Sequence, residues 1–597
     1  MEAKFDVGVA SLHELINRPD HAAALCGTIN FTTLAADPMP ISEGRVELLV
    51  DDPTHIETWL MIYSGLVESG RRGTLHFEGR KTLRGRAGSH WWTDVTTLFV
   101  TMRDTSEEKN VVGRGILRLG LQDFVGQAQA TQVSYTAFAP SAERDRSCQG
   151  TILRWLEMLR PGARSALELL SASKLASFFA ERIIRAHGGI LPYLQNYPAM
   201  VNAERKGHVA ASHPLDRIAP APKPTRHQIR TADGEALSLT RYQRGHKGPL
   251  IVAPGIGVTA ASYAMDTVDV NFVEYFCRAG YDVWLFDYRA SPALPSSKRS
   301  FTIDDIVKND WPAAVEAVRR ITGAKDVQIL GHCVGSLSLL MALLNDLKGV
   351  RSAICSQFSL HPVTHWFNYA KIDLDVVSLV EGGLARYLGT NLPLRRDAVD
   401  GITKALGKLL PEGRLPKNLV EGFPYVDMRS SGTADDQALD ALLWGMPMPP
   451  EDHCKNPVCH RMFAVYGLAL NHAHLNEATH NALEDIFGPI SSHLFNQLKL
   501  IMDLGRAVDK DGKDRYLAHP ERLTMPITLL SGSRNRILMP ESTQRTLEWM
   551  RDANPNNASM YSRHVFPQYA HMDLFIGKNA DRDIFPFIEK TLDAHNA

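Results

Sequence analysis

The sequence has little excess charge of either sign, few cysteines and no long apolar run. Lysine and arginine (65) nearly balance aspartate and glutamate (66) over 597 residues, so the net charge of −1 gives no electrostatic basis for binding nucleic acid. Seven cysteines form a sparse, odd set, which favours reduced thiols over a disulfide framework. No apolar window approaches the roughly 18 residues of a membrane span, and the first residues lack a signal-peptide pattern. We therefore expect a cytoplasmic protein without a transmembrane segment.

The hydrophobic pattern divides the chain into four parts. Residues 1–150 alternate apolar and polar positions in short segments, which predicts a β-rich accessory domain of the sandwich or barrel type. Residues 151–225 predict two helices followed by a proline-rich linker. Residues 226–360 and 521–597 alternate apolar strands with amphipathic helices, which predicts a mostly parallel sheet covered by helices on both faces. Residues 361–520 interrupt that alternation and predict a helical cap.

One short motif carries the chemistry. Gly331-His332-Cys333-Val334-Gly335 follows an apolar strand and precedes an apolar helix, and it matches the G-x-nucleophile-x-G elbow with cysteine as the nucleophile. The two glycines are needed because a Cβ at either position would collide with the tight turn. The helix that follows places its N-terminus beneath the thiol, which favours the thiolate of Cys333.

A cysteine nucleophile needs a base, and the base needs an orienting group. His571 follows the last predicted strand, where this architecture delivers its histidine. The turn after the strand PITLLSG should supply the third member, and there Asn535 stands where an aspartate is usual. An asparagine oxygen can accept the imidazole N–H, as in Cys-His-Asn sites. Asp573 is the alternative acid, so two orienting groups stay open.

The oxyanion formed during acyl transfer requires two backbone N–H donors. Val334, directly after the nucleophile, should give one, and the loop at Gly255, Ile256 or Gly257 should give the other. The same loop matches the dinucleotide pattern G-x-G-x-x-A. That pattern also needs an acid about 20 residues on. The nearest acid at a strand end, Asp287, lies 30 residues after Gly257, so no nucleotide cofactor is predicted.

Cysteine and histidine also cluster in the predicted cap. Their spacing falls within the range that zinc ligands tolerate, but a second well-spaced pair is missing from the sequence. We therefore expect structural residues or paired thiols, and neither a metal nor any other cofactor. The residues concerned are His453, Cys454, Cys459, His460, His472 and His474.

Four sequence blocks resemble a known module. AGYDVWLFDYRAS, DVQILGHCVGS, SGSRNRILMPEST and YAHMDLFIGKNADRDIFP are similar to the α/β-hydrolase module at the C-terminus of some bacterial cholesterol-oxidase-like GMC oxidoreductases. The resemblance extends to GTLHFEGRKTL and WTDVTTLFVTM, so it covers most of the chain. It implies an α/β-hydrolase fold and a Cys-His hydrolase with asparagine at the acid position. The chain has no flavin-binding fingerprint, so redox chemistry is not implied, although a separate oxidoreductase remains a candidate partner. Polyhydroxyalkanoate synthases are more distantly similar, but they keep aspartate where this chain has Asn535.

Together these observations predict an enzyme of acyl transfer or ester hydrolysis that acts through a thioester on Cys333. The large cap and the near-neutral charge favour a hydrophobic ester or thioester substrate, with acyl-CoA and carrier-bound acyl groups as candidate donors. Two alternatives stay open, a polyester-synthase-like polymerising acyltransferase and a non-catalytic scaffold. Homo-oligomerisation is neither predicted nor excluded.

Overall fold

A computed structural model describes most of the chain. The described residues are 2–118 with gaps at 10, 36, 53–57, 71, 85–95 and 106–109, then 178–179, 221–365 and 454–596, and between the last two ranges 368, 396–408, 425–429, 440, 443, 448, 449 and 452. The chain divides into two compact units, one of Met1–Asp52 with Glu57–Pro192 and one of Pro53–Ile56 with Tyr193–Ala597. Among the described helices, none combines the length and apolar character needed to cross a membrane.

The first unit contains a seven-stranded antiparallel sheet whose strands are adjacent in chain order. The β-rich prediction is confirmed, but the described strands form one up-and-down sheet and not the two sheets of a sandwich. Apolar side chains along one face pack into a core around Val67, Leu75 and Phe77, all unexposed. The strands are β1 Glu2–Gly8, β2 Ala22–Asn30, β3 Met39–Asp51, β4 Thr58–Ser69, β5 Gly73–Arg84, β6 Thr97–Asp104 and β7 Val111–Arg118, with one helix, α1 Leu12–Asn17, between β1 and β2.

Of the predicted helical segment 151–225, only its last residues and one aromatic pair lie within the described residues. Phe178 packs edge-on against His21, with ring centroids 4.9 Å apart, and thus joins the core of the first unit. Apart from residues 178–179, which are helical, the predicted helices and most of the linker lie outside the described residues.

The second unit is built on an eight-stranded sheet. Numbered within this sheet in chain order, the strands lie in the spatial order 1-2-4-3-5-6-7-8, and only the second runs antiparallel to the others. The sheet starts with an antiparallel hairpin, and Gly234 in its turn lies in the left-handed region at φ 88°. The strands are β8 Thr225–Arg230, β9 Ala236–Tyr242, β10 Pro249–Ala253, β11 Asp282–Asp287, β12 Val327–His332, β13 Val350–Ser356, β16 Ile527–Gly532 and β17 Tyr561–Phe566.

Helices cover the sheet because its central strands are apolar on both faces. Every residue of β10, β11, β12 and β16 is buried, as expected for parallel strands between two helical layers. Helices outside the predicted cap are α2 Phe272–Arg278, α3 Ile303–Asp305, α4 Trp311–Thr322, α5 Val334–Leu344, α11 Glu541–Ala553, α12 Asp573–Ile576, α13 Ala580–Asp583 and α14 Phe585–Asp593. Between α3 and α4, residues Ile306–Asp310 form a π-helical turn.

The described part of the predicted cap is mainly helical. Its helices are α6 Arg396–Gly407, α7 Pro457–Val465, α8 Glu477–Asn481, α9 Leu483–Ile486 and α10 His493–Leu504. The sequence did not predict the short antiparallel pair β14 Tyr425–Asp427 and β15 Pro489–Ser491. This segment also contacts the loop after β10, since Gly488 N donates to Gly257 O and Thr259 N donates to Ile486 O.

Candidate active site

Cys333 occupies a strained turn between β12 and α5. Its φ of 53° and ψ of −124° are unusual for a residue with a side chain, and such strain is held where structure over-determines it. The glycines around it are required sterically. A Cβ on Gly331 would lie 2.8 Å from Gly335 O, and one on Gly335 would lie 2.5 Å from Pro254 O. The turn therefore has the geometry of a nucleophile elbow, with the thiol half-buried at its tip.

Two backbone amides face the sulfur of Cys333. They belong to Val334 and Ile256, and both act to lower the pKa of the thiol. Among the three candidates in the loop after β10, the amide near the sulfur is thus that of Ile256. Gly255 permits the close approach, since a Cβ there would lie 2.9 Å from Cys333 Cβ. Gly257 adopts φ 69°, and its Cβ would lie 2.5 Å from both Ile490 and Tyr466.

Two buried tyrosines and one partly buried tyrosine hydrogen-bond the backbone of this loop. Each hydroxyl donates to a different carbonyl of the same short segment, so the direction of the Ile256 amide is set by several bonds at once. The bonds run from Tyr263 to Ala253 O (3.2 Å), from Tyr288 to Pro254 O (3.1 Å) and from Tyr466 to Ile256 O (2.8 Å). The sequence offered no signal for these residues because they come from three separate segments.

His571 lies after β17 and is oriented by Asn535. Its Nδ1 lies 3.3 Å from Asn535 Oδ1, and both side chains are almost fully buried. Because the amide oxygen can only accept, Nδ1 carries the proton and Nε2 is the basic nitrogen. Among the described residues, Nε2 has no hydrogen-bond partner, so no bond to Cys333 Sγ exists in this structure. Catalytic hydrogen bonds of this kind are often long before substrate binds.

Gln357 determines which way the Asn535 amide points. Asn535 Nδ2 donates to Gln357 Oε1 at 2.7 Å, which directs Oδ1 towards His571. Gln357 Nε2 donates in turn to the carbonyls of Ala570 and His571, at 2.7 and 3.0 Å. Gln357 is fully buried and has φ 74°. It therefore links the turn after β16 to the histidine loop, a role that sequence reasoning missed.

Asp573, the alternative acid, bonds elsewhere. Its carboxylate accepts from Ala570 N at 3.0 and 3.1 Å and from Asn471 N at 3.4 Å. Burial raises the pKa of Asp573 to about 7, against the lowering effect of these backbone bonds. These contacts place Asp573 as an anchor of the loop that carries His571.

The remaining elbow residue, His332, packs against the candidate base. Its ring lies 4.8 Å from that of His571 and 5.1 Å from that of Phe575, while its Nδ1 is 3.3 Å from Ser356 Oγ. Burial, helped by the neighbouring His571, holds the pKa of His332 well below its usual range. A neutral His332 packs beside His571 without electrostatic repulsion.

The candidate nucleophile and base are both uncharged at neutral pH. Burial raises the pKa of Cys333 to about 12, despite the opposing amides of Val334 and Ile256. Burial also lowers the pKa of His571 to about 3. The sequence-based expectation of a thiolate favoured by the helix is therefore not met in the resting site, because desolvation outweighs the helix N-terminus. The site suits a base that removes the thiol proton during attack.

Asp287, the acid considered above for a nucleotide site, accepts hydrogen bonds from nearby residues. Its carboxylate accepts from Ala260 N at 2.8 Å and from Ser291 Oγ at 2.5 Å. It therefore fixes the segment after the Gly255–Gly257 loop and is only 6% exposed.

The cysteines and histidines of the predicted cap separate into two groups. Cys454, Cys459 and His472 are brought together with His480, a residue the sequence analysis did not consider. His460 instead bonds Cys454 O at 2.7 Å. His474 stacks on Tyr569, and His453 lies outside the described residues.

Among curated proteins, the chain is similar to several lipases over part of its length. No protein-family model matches the chain. It is similar to triacylglycerol lipase 2 of Arabidopsis thaliana, with 27% identity over 171 residues, covering 26% of this chain and 40% of the lipase. It is also similar to gastric triacylglycerol lipase of Homo sapiens, with 23% identity over 179 residues, covering 27% and 44%. The chain thus spans less than half the length of these curated relatives.

Among solved structures, a monoacylglycerol lipase of Paleococcus ferrophilus aligns with 60% of this chain and 99% of its own, at 15% identity and a TM-score of 0.34. The second unit has an α/β-hydrolase fold. This follows from its strand order and from the elbow after the fifth strand of the sheet, and the similarity to lipases agrees with it.

Proposed function

We propose that this protein is a cysteine-dependent acyl-transfer enzyme that acts on hydrophobic esters or thioesters. The observation that carries the proposal is the setting of Cys333, a strained elbow residue whose sulfur is faced by the amides of Val334 and Ile256. Two convergent N–H groups at a nucleophile are what an oxyanion requires. The lipase relatives support an ester as the substrate.

The proposed first half-reaction forms a thioester. Cys333 Sγ attacks the carbonyl carbon while His571 Nε2 takes the thiol proton. The carbonyl oxygen becomes an oxyanion bound by the two amides. When the tetrahedral intermediate collapses, the bond to the leaving alcohol or thiol breaks, and the leaving group takes the proton from His571.

The second half-reaction transfers the acyl group. Water, an alcohol or another nucleophile gives a proton to His571 and attacks the thioester, and Cys333 leaves as the thiol. Asn535 keeps Nε2 of His571 basic throughout but adds no negative charge beside the imidazolium. A thiol tolerates this because it is far more acidic than a serine hydroxyl.

Intact mass spectrometry of the full chain with a panel of p-nitrophenyl and CoA esters tests the proposal. We expect one acyl adduct, mapped by peptide mass to Cys333, and turnover that falls at least 10³-fold in Cys333→Ala. Cys26→Ser is the matched control, since Cys26 is an exposed cysteine of the first unit and should leave both adduct and turnover unchanged. Wild-type turnover in Cys333→Ala would overturn the proposal.

The proposal leaves the finer resemblance untouched. Similarity to the hydrolase module of GMC oxidoreductases stays a prediction, as does the cytoplasmic compartment.

A further inference from the structure

Four potential metal ligands meet in the described part of the predicted cap. Cys454 precedes α7, Cys459 lies within it, His472 lies in the 3₁₀ turn His472–His474, and His480 lies in α8. All four are buried, and their ligand atoms lie within 4.8 Å of one another. Cys459 Sγ is 3.4 Å from His480 Nε2.

His472 is arranged as a metal-ligating histidine usually is. Its Nδ1 lies 3.3 Å from Asp452 Oδ1, and Asp452 is held at 2.8 Å by Arg536. This leaves His472 Nε2 buried and, among the described residues, without a hydrogen-bond partner. A carboxylate on one nitrogen commonly fixes the other for a metal.

The donor set selects the ion. Two thiolates and two imidazoles in a closed, buried arrangement are typical of structural zinc. With Zn–S of about 2.3 Å and Zn–N of about 2.1 Å, tetrahedral ligand atoms lie roughly 3.4–3.8 Å apart. We propose that Cys454, Cys459, His472 and His480 bind one structural zinc ion.

A disulfide between the two cysteines explains less. It would engage only Cys454 and Cys459, and it would not explain why Asp452 lies against His472. It would also leave the buried Nε2 of His472 without a hydrogen-bond partner, which destabilises the folded state. Zinc accounts for all four side chains and for the carboxylate behind one of them.

Residues 469–471, just before His472 of the proposed zinc site, hydrogen-bond the loop that carries His571. Ala469 O accepts from Met572 N at 2.9 Å, and Asn471 Nδ2 donates to Gln568 O at 2.7 Å. These contacts lie on either side of His571. A metal that fixes the segment around residues 469–471 would therefore keep the histidine loop in place without touching substrate.

Elemental analysis and thermal unfolding of the full chain test the site independently of activity. We expect about one zinc per chain in protein purified under reducing conditions, and a midpoint of unfolding several degrees lower after chelation, restored by added zinc. Reconstitution of metal-depleted wild type with Co²⁺ should give the visible bands of a tetrahedral cobalt–thiolate site. The cobalt measurement needs no variant and therefore does not depend on how a variant folds.

Cys454→Ser and His480→Gln should each bind less than a fifth of the wild-type metal. Cys277→Ser, which changes another buried cysteine of the same unit, should bind the wild-type amount. Wild type that stays free of zinc and gives no cobalt bands would overturn the proposal. So would a peptide pair two mass units lighter, which identifies a Cys454–Cys459 disulfide. Neither result bears on Cys333, so failure of this site and failure of the proposed function are separable.

Discussion

At the scale of single residues, the choice of asparagine at the acid position follows from its neighbour. Gln357 Oε1 already accepts from Asn535 Nδ2, from Gly532 N and from Ser531 Oγ. A carboxylate at position 535 would place a second acceptor against that oxygen. Rotating the Gln357 amide would not help, because Oε1 would then face the carbonyls of Ala570 and His571.

Asn535→Asp should therefore harm the protein, although aspartate is usual at this position in the fold. We expect a loss of about 1–3 kcal/mol in the free energy of unfolding, since one buried acceptor is left unsatisfied. Asn535→Ala should lower kcat/KM by about 10²- to 10⁴-fold because it removes the group that fixes the His571 tautomer. Denaturant unfolding and steady-state kinetics check both. Asn556→Asp, a control at an exposed position of the 3₁₀ turn Pro555–Met560, should change neither. An aspartate variant as stable and active as wild type would contradict the role of Gln357.

The pH dependence should distinguish this site from one with a resting thiolate–imidazolium pair. Burial sets the pKa of His571 at about 3 and that of Cys333 at about 12. Below its pKa, His571 is protonated and cannot accept the thiol proton, so activity falls on the acid side only. We expect kcat/KM to be flat through neutral pH, with its acid limb well below the ordinary histidine value of about 6.5. An acid limb at or above that value would contradict a buried neutral base.

The raised pKa of Cys333 also affects how this thiol can be detected chemically. A half-buried thiol that its raised pKa keeps neutral reacts slowly with simple alkylating reagents, because the thiolate is the nucleophile. Slow labelling by iodoacetamide is therefore expected of this site and does not favour a scaffold. An acyl donor, which engages His571 and both amides, is the better probe.

At the scale of elements, the loop after β10 is held from several directions. Its carbonyls accept hydrogen bonds from hydroxyls in the 3₁₀ turn Ala260–Ala264, at the residue after β11 and in the predicted cap. Preorganised donors stabilise an oxyanion because they need no reorganisation during the reaction. The position of the Ile256 amide thus depends on residues from three separate segments.

Removing the Tyr466 hydroxyl should weaken catalysis more than stability. Tyr466→Phe loses one partly buried hydrogen bond, about 1 kcal/mol in the free energy of unfolding. Because it loosens Ile256, we expect kcat to fall roughly three- to tenfold with little change in KM. Tyr561→Phe is matched, since Tyr561 also donates one buried bond, to Leu523 O at 2.6 Å, and lies in β17. Equal kinetic effects in the two variants would argue against a positioning role.

The elbow glycines give a second test at this scale. Gly335→Ala places a Cβ 2.5 Å from the backbone oxygen of Pro254, which cannot move like a side chain. We expect a loss of about 1–3 kcal/mol in the free energy of unfolding and little remaining activity. Gly401→Ala in α6, where a Cβ meets nothing within 4 Å, should be neutral or slightly stabilising. Thermal unfolding and turnover measured side by side separate the two cases.

At the scale of the whole molecule, each unit has its own apolar core. The core of the first unit contains residues of β1–β7, α1 and the pair at 178–179, while that of the second is drawn from residue 221 onwards. Domains with separate cores can generally fold alone. We expect a chain of residues 221–597 to unfold cooperatively and to form the acyl adduct on Cys333 when it is incubated with a short ester. A chain that stays unfolded, measured by circular dichroism, would contradict this independence.

The sequence predicted the sheet, the elbow and the placement of His571 and Asn535 because each depends on local pattern and chain order. Continuous apolar strands, small residues around Cys333 and turns after known strands are all readable along the chain. Gln357, Tyr466 and His480 were not readable, because each acts on a segment tens to hundreds of residues away. The sequence left open whether the first unit forms the two sheets of a sandwich or the single sheet of a barrel, since alternation along strands does not say how many sheets they form.

Asn535 and Arg536 are adjacent, yet their side chains serve different groups. Asn535 bonds His571, while Arg536 pairs with Asp452 behind His472. Oxidation of the cysteine pair in the proposed zinc site would therefore disturb a segment joined to the catalytic turn, while Cys333 stayed chemically intact. Peroxide would then inactivate the protein by two routes, oxidation of Cys333 or oxidation of Cys454 and Cys459. Activity that returns with reductant plus zinc, but not with reductant alone, would identify the second route.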